Sequence, residues 1–164
     1  MNWTMLSAIG EILSSGAILV TLIYLAIQTR QNADATQANT RQAILAADQQ
    51  FLAQIMDDPE LYSIRTKPEL TECEKIRLGA LLTTFVRMRE NNWLQYQNGV
   101  LDEATWETYR SSIVAFLGSS SCRTWWQKYA VVRRAFDSRF ITLVDELLAN
   151  APVQERSIFV SAFD

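Results

Sequence analysis

Side-chain acid–base chemistry needs two titratable groups held within reach of one substrate, and this sequence offers few. It contains no histidine, which excludes every mechanism built on an imidazole base, shuttle or metal ligand. One carboxylate pair is conceivable as a general acid and base, Glu90 with Glu107 on neighbouring helices. Arg87, Arg89 and Arg110 stand close by in sequence, and acidic residues on paired helices are usually solvated or ion-paired rather than catalytic. Ion pairing is therefore the expectation, and no catalytic residue is assigned. Cys73 and Cys122 are far apart and have no histidine to join, so no metal site is expected. Two cysteines also cannot staple a domain of this length; as free thiols they suit a reducing cytoplasm. The five glycines stand singly, so there is no phosphate-cradling loop, and no cofactor is expected.

Two segments carry less ordinary chemistry. The first is Arg123, Trp125, Trp126, Lys128, Arg133 and Arg134, basic and aromatic residues on one expected helix. Such a surface can rest on anionic lipid or on a partner protein. The alternative is a core stripe of Trp125, Tyr129, Val132 and Phe136 with the arginines in solvent, and helical spacing favours it. The second is Glu11, the only charged side chain before Arg30; the remaining 17 acidic and all 15 basic residues follow. The formal net charge is −3 with no long basic run, so no nucleic-acid partner is expected.

The 164 residues are 49% apolar and 20% charged, which excludes a disordered chain but averages over two unlike parts. From Ile12 to Thr29 there is an uncharged run, roughly 27 Å as a helix, near the thickness of a bilayer core. Trp3 and Tyr24 flank it as interfacial aromatics do. A cleavable signal peptide fits less well, because no basic segment leads the run, Glu11 interrupts it and no small-x-small site follows. A buried helix of a water-exposed domain is the other alternative, given the Ser, Thr and Glu content. The expectation is a transmembrane anchor over residues 1–30. Arg30 and Arg41 after the span place the carboxyl-terminal part in the cytoplasm and a short amino terminus outside, in a bacterial inner membrane.

Alternating steps of three and four from Ser7 pick out Ser7, Gly10, Ser14, Ala17, Thr21, Tyr24, Gln28 and Gln31, the 3.5-residue period of a left-handed helix pair. The stripe is small and hydroxylated where the opposite side is Ile, Leu and Val, the composition of helix interfaces in lipid. Glu11 lies beside Ser7 and Ser14. It faces protein within an assembly, or it sits near the outer surface and reaches water, and the sequence leaves both open. The membrane-helix interface is thus assigned to Ser7, Gly10, Glu11, Ser14, Ala17 and Thr21. The period continues through Ala35, Ala38, Gln42, Leu45, Gln49, Leu52 and Met56, with no Gly or Pro between Gly16 and Pro59. A helical extension over 31–57 follows, continuous with the anchor unless the Asn, Thr and Asp of 32–40 break it. Its seam positions between Ile44 and Met56 are expected to dock the downstream helices.

Residues 58–164 read as a small cytoplasmic helical bundle. Pro59 opens a short helix to Ile64. Thr71-Glu72-Cys73-Glu74 is a capping box before a run using Ile76, Leu78, Leu81, Leu82, Phe85, Met88, Trp93 and Tyr96 that ends near Gly99. Asp102 caps a helix with Trp106, Tyr109, Ile113 and Phe116. Ser121 starts another after Gly118, and Asp137 caps a last one through Phe140, Ile141, Val144, Leu147 and Leu148 to Pro152. The tail Ile158-Phe159-Val160 and Phe163 is expected to pack back on the bundle. No window alternates as a strand does, so the class is all-α.

With these residues in view, the chain resembles a widespread group of small bacterial membrane proteins. The resemblance is carried by Trp3, Gly10-Glu11, Tyr24 to Arg30, Asp58-Pro59-Glu60-Leu61, Arg89-Glu90-Asn91, Asn98 to Asp102 with Trp106, and Trp125-Trp126 followed by Phe136 and Phe140. It spans nearly the whole chain. It implies an anchor plus a helical domain, with Glu11 and Arg30 part of the pattern and no activity attached. The functional expectation is a membrane-anchored, non-enzymatic interaction protein, an accessory or assembly subunit whose partners are membrane lipid and other membrane subunits or itself. The alternative is a homo-oligomeric pore or signalling effector with Glu11 at the helix interface.

Overall fold

The structure is a computed structural model that describes residues 3–131 and 135–154, the side chains of 3–10, 12, 13, 15, 130 and 131 excepted. Among the described residues every regular element is helical, in agreement with the all-α expectation. Six α-helices follow one another: α1 (Trp3–Asp57), α2 (Pro59–Ser63), α3 (Glu72–Gln97), α4 (Glu103–Leu117), α5 (Ser120–Trp125) and α6 (Ser138–Ala149). A 3-10 turn (Ile64–Thr66) extends α2, and a π-helical turn (Trp126–Val131) extends α5. The chain divides into two compact units, Met1–Thr40 and Arg41–Asp164.

In the first unit α1 runs unbroken through the polar stretch 32–40 where a break was conceivable. Its threonines bond within the helix: Thr21, Thr29, Thr36 and Thr40 each donate to the carbonyl four residues back, at 2.8–2.9 Å. Hydroxyls mid-helix find a partner in this way without leaving the helix. Every described side chain from Gly16 to Thr36 is exposed. Among the described residues no helix is long and apolar enough to cross a membrane. Ile12 and Leu13, which begin the uncharged run, lie outside the described side chains.

In the second unit the helix ends follow local rules. The Asp58 carboxylate accepts from the Leu61 N–H at 3.2 Å with Pro59 at the first helical position. Thr71 and Glu74 form the expected capping box. Lys67 first, and then Thr71, hold the Glu74 carboxyl down at about 2. Asp102 and Asp137 cap α4 and α6. Helix α3 closes in a Schellman motif: Val100 N–H donates to the Gln95 carbonyl and Gly99 N–H to that of Tyr96, both at 2.9 Å. Gly99 there takes φ +72, left-handed backbone that glycine adopts without strain.

The core gathers Leu81, Leu82, Phe85 and Val86 of α3, Ile113, Phe116 and Leu117 of α4, and Phe140, Val144 and Leu148 of α6. Phe85 and Phe116 stack at 4.0 Å, and the Phe51 ring meets both at 5.8 and 5.6 Å. Four expectations need correction. Ile76 is 74% exposed, because at about 100° per residue it lies on the face of α3 opposite Leu78 and Phe85, which are buried. The docking stripe of α1 is Ile44, Asp48, Phe51 and Ile55, while Leu45, Leu52 and Met56 remain exposed. That is a shift of one residue, or about 100° around the helix. Phe51 packs against the side of the stacked Phe85–Phe116 pair and Asp48 pairs with Arg89, contacts that the neighbouring stripe of Leu45, Leu52 and Met56 does not make. Helix α5 starts at Ser120, not Ser121, with the Ser119 hydroxyl accepting from the Cys122 N–H. The core tryptophan of this segment is Trp126, 1% exposed, rather than Trp125. Val132, Arg133, Arg134 and the tail residues 158–163 lie outside the described residues.

Candidate functional site

The assigned membrane-helix residues all fall on α1. Glu11, Ser14, Ala17, Thr21, Tyr24 and Arg30 are exposed, and the side chains of Trp3, Ser7 and Gly10 lie outside the described set. Ser14 donates to the Glu11 carbonyl at 3.1 Å and Thr21 to that of Ala17 at 2.8 Å. A Cβ on Gly16 would meet nothing within 4 Å. Eight large side chains from Ile18 to Ile27 are between 49% and 67% exposed. They point in all directions around the helix, since Ile18, Leu19, Val20, Leu22, Ile23 and Leu25 cover successive 100° steps.

The structure separates the four residues assigned as possible lipid or partner contacts. Trp126 belongs to the core: its indole N–H donates to Asp145 Oδ1 at 2.7 Å and its ring stacks on Phe136 at 5.8 Å. Arg123 is a brace for the carboxyl end of the bundle. It donates to the carbonyls of Gly118, Leu148, Ala151 and Pro152 at 2.6–3.1 Å. Trp125 and Lys128 instead reach a cleft of about 680 Å³ bounded by the loop after the 3-10 turn, the start of α3 and the face of α5 with its π turn. Trp125 stacks on Tyr129 at 5.3 Å with 20° between the rings. Lys75 stands in the cleft wall, and Leu70 and Leu78 form its apolar base.

The conceivable dyad is not a chemical unit. Glu90 is buried, with Oε1 accepting from the Asp137 N–H at 2.6 Å and Oε2 from Arg87 at 2.7 Å. It tethers the start of α6, where a carboxylate also complements the helix dipole. Glu107 is exposed and pairs with Arg110 at 2.6 Å. Among the described residues no group of three or more Cys, Asp and Glu side chains could hold a metal ion.

Two buried arginines carry no sequence signal. Arg65 is 1% exposed, its guanidinium 4.3 Å from the ring centres of both Tyr62 and Phe116. It donates to the Phe116 carbonyl and, at 3.1 Å, to the Tyr62 hydroxyl. Burial lowers its pKa, opposed by Tyr62 and Cys122. Arg89 pairs with Asp48 and lies over the rings of Tyr109 and Phe85 at 4.8 and 5.1 Å. Desolvation pushes the buried Cys122 thiol up, whereas Cys73 is exposed.

These features define a small helical bundle led by a helix with an uncovered apolar stretch. Comparison with family models, curated proteins and solved structures gives no match for the chain.

Proposed function

We propose that this chain is a single-pass, membrane-anchored interaction protein without catalytic activity, an accessory or assembly subunit of a larger membrane complex. Its anchor is the part of α1 from Trp3 to Arg30, the amino-terminal end of that span lies outside a bacterial inner membrane, and its bundle lies in the cytoplasm behind Arg30 and Arg41. One observation carries the reading: the apolar side chains from Ile18 to Ile27 are uncovered all around α1. At about 25 cal/mol per Å² of apolar surface, removing eight such side chains from water gains on the order of 10 kcal/mol. A helix that is apolar all round belongs in lipid or among other helices. The commitment of Glu90 and Glu107 to structural partners supports a role in binding rather than chemistry.

The test is fractionation of native cells, then the mass and composition of the particle released in mild detergent. Retention in the membrane after alkaline carbonate washing, within a particle that contains other membrane subunits, is the expected result. Release by carbonate alone overturns the anchor. A particle made only of this chain in fixed number overturns the accessory role in favour of a homo-oligomer, with Glu11 as the residue to replace.

A further inference from the structure

The cleft beside α5 has an aromatic wall and a cationic lining. Its wall is the Trp125–Tyr129 stack, in which Trp125 packs part-buried against the core while Trp126, one residue on, is wholly buried. Two ammonium groups, Lys75 and Lys128, stand in the lining, and no carboxylate does. Lys75 pairs with Glu72 at 2.6 Å, but both are largely exposed, and a pair so exposed holds its partners weakly. Among the described residues no carboxylate pairs with Lys128. Of the lining serine and threonine hydroxyls, Ser121 donates to the Lys67 carbonyl and Thr124 to that of Ser120, and the Ser120 hydroxyl adds a donor to the cleft beside the two ammonium groups. The π turn that begins at Trp126 supplies Lys128 and Tyr129 to the same wall, and π turns recur where a helix serves a ligand. The volume of about 680 Å³ lies within the range of small-molecule sites.

We propose that this cleft binds a small phosphate monoester that carries an aromatic ring. The ring lies against the Trp125–Tyr129 face, as planar groups do on aromatic platforms. The phosphate lies between Lys75 and Lys128, with Ser120 as a hydroxyl donor. Ammonium groups without a guanidinium fork suit a phosphate, which can be approached from many directions, more than a bidentate carboxylate. The site is independent of the membrane anchor, so either can fail without the other.

The full chain in mild detergent is titrated by calorimetry with phenyl phosphate and with adenosine 5′-monophosphate, and with phenol, adenosine and inorganic phosphate as their halves. Saturable binding of at least one monoester is expected, at least about 10-fold tighter than either of its halves. Lys128→Met and Trp125→Leu, each first shown to keep the parental helix content and melting temperature, are expected to weaken it about 5-fold or more. Arg139→Met on α6 is expected to leave it unchanged. Absence of saturable binding by both monoesters overturns the proposal. So does equal binding of inorganic phosphate alone, or equal weakening by Arg139→Met, which would mean an unspecific response to charge.

Discussion

Replacement of Glu90 tests the most connected carboxylate in the bundle. Its two oxygens hold the Asp137 N–H at 2.6 Å and Arg87 at 2.7 Å, and its side chain is 10% exposed against 54% for Arg87. Glu90→Gln keeps an acceptor but removes the charge. A hydrogen bond to a charged group is worth about 1.5–3 kcal/mol and a neutral one about 0.5–1.5, so the Asp137 contact loses about 1–1.5 kcal/mol. The half-exposed pair with Arg87, three residues away on α3, adds about 0.3–0.5 kcal/mol. The sum is about 1.5–2 kcal/mol. Glu90→Ala also strands the Asp137 N–H, for a further 1–3 kcal/mol or so, giving about 2.5–5 kcal/mol. Urea unfolding of the full chain in detergent, followed through the buried Trp93, Trp106 and Trp126, measures both. At this size about 2 kcal/mol corresponds to roughly 4–8 °C in melting temperature. The reasoning is refuted if Glu90→Ala unfolds within about 0.5 kcal/mol of the parent, or if Gln costs as much as Ala.

Four further outcomes follow from the same contacts. The Glu74 carboxyl sits at about 2 in the fold against an ordinary 4.5, so its contribution is complete above pH 4.5 and drains away as pH falls from there toward 2; urea unfolding across that window should show the loss, flattened in Lys67→Met, which removes the largest cause. Gly99→Ala should cost about 1 kcal/mol in the same assay, since a Cβ there meets nothing within 4 Å and only the positive φ resists it. Arg123→Met should cost about 2–3 kcal/mol, because four carbonyls at the end of the bundle lose their donor. A thiol reagent should modify one cysteine per native chain, Cys73, and reach Cys122 only in denaturant.

What the sequence determined by itself is what neighbours in the chain decide. Pro59, the Thr71–Glu74 box, Asp102, Gly99 and Asp137 each act within a few residues, so the helix ends they set were legible in one dimension. The periodicity of Leu78 to Phe85 and of Phe140 to Leu148 likewise showed which faces turn inward. The break that the Asn, Thr and Asp of 32–40 left open does not occur: α1 is continuous there, with Thr36 and Thr40 bonded to carbonyls four residues back. Only the tertiary structure decided which of several apolar stripes was used. Leu45-Leu52-Met56 and Ile44-Phe51-Ile55 are equally periodic, and the choice fell to the stacked Phe85–Phe116 pair, against which Phe51 packs, and to Arg89, which pairs with Asp48. The same holds for Trp125 and Trp126, adjacent and chemically alike. The reach of Asp145 and the ring of Phe136 take one into the core, and the other is left at the cleft. Nothing in the order of residues marks Arg65, Arg89 and Glu90 for burial; they are buried because rings, carbonyls, the Asp48 carboxylate and the Asp137 N–H from distant parts of the chain meet them.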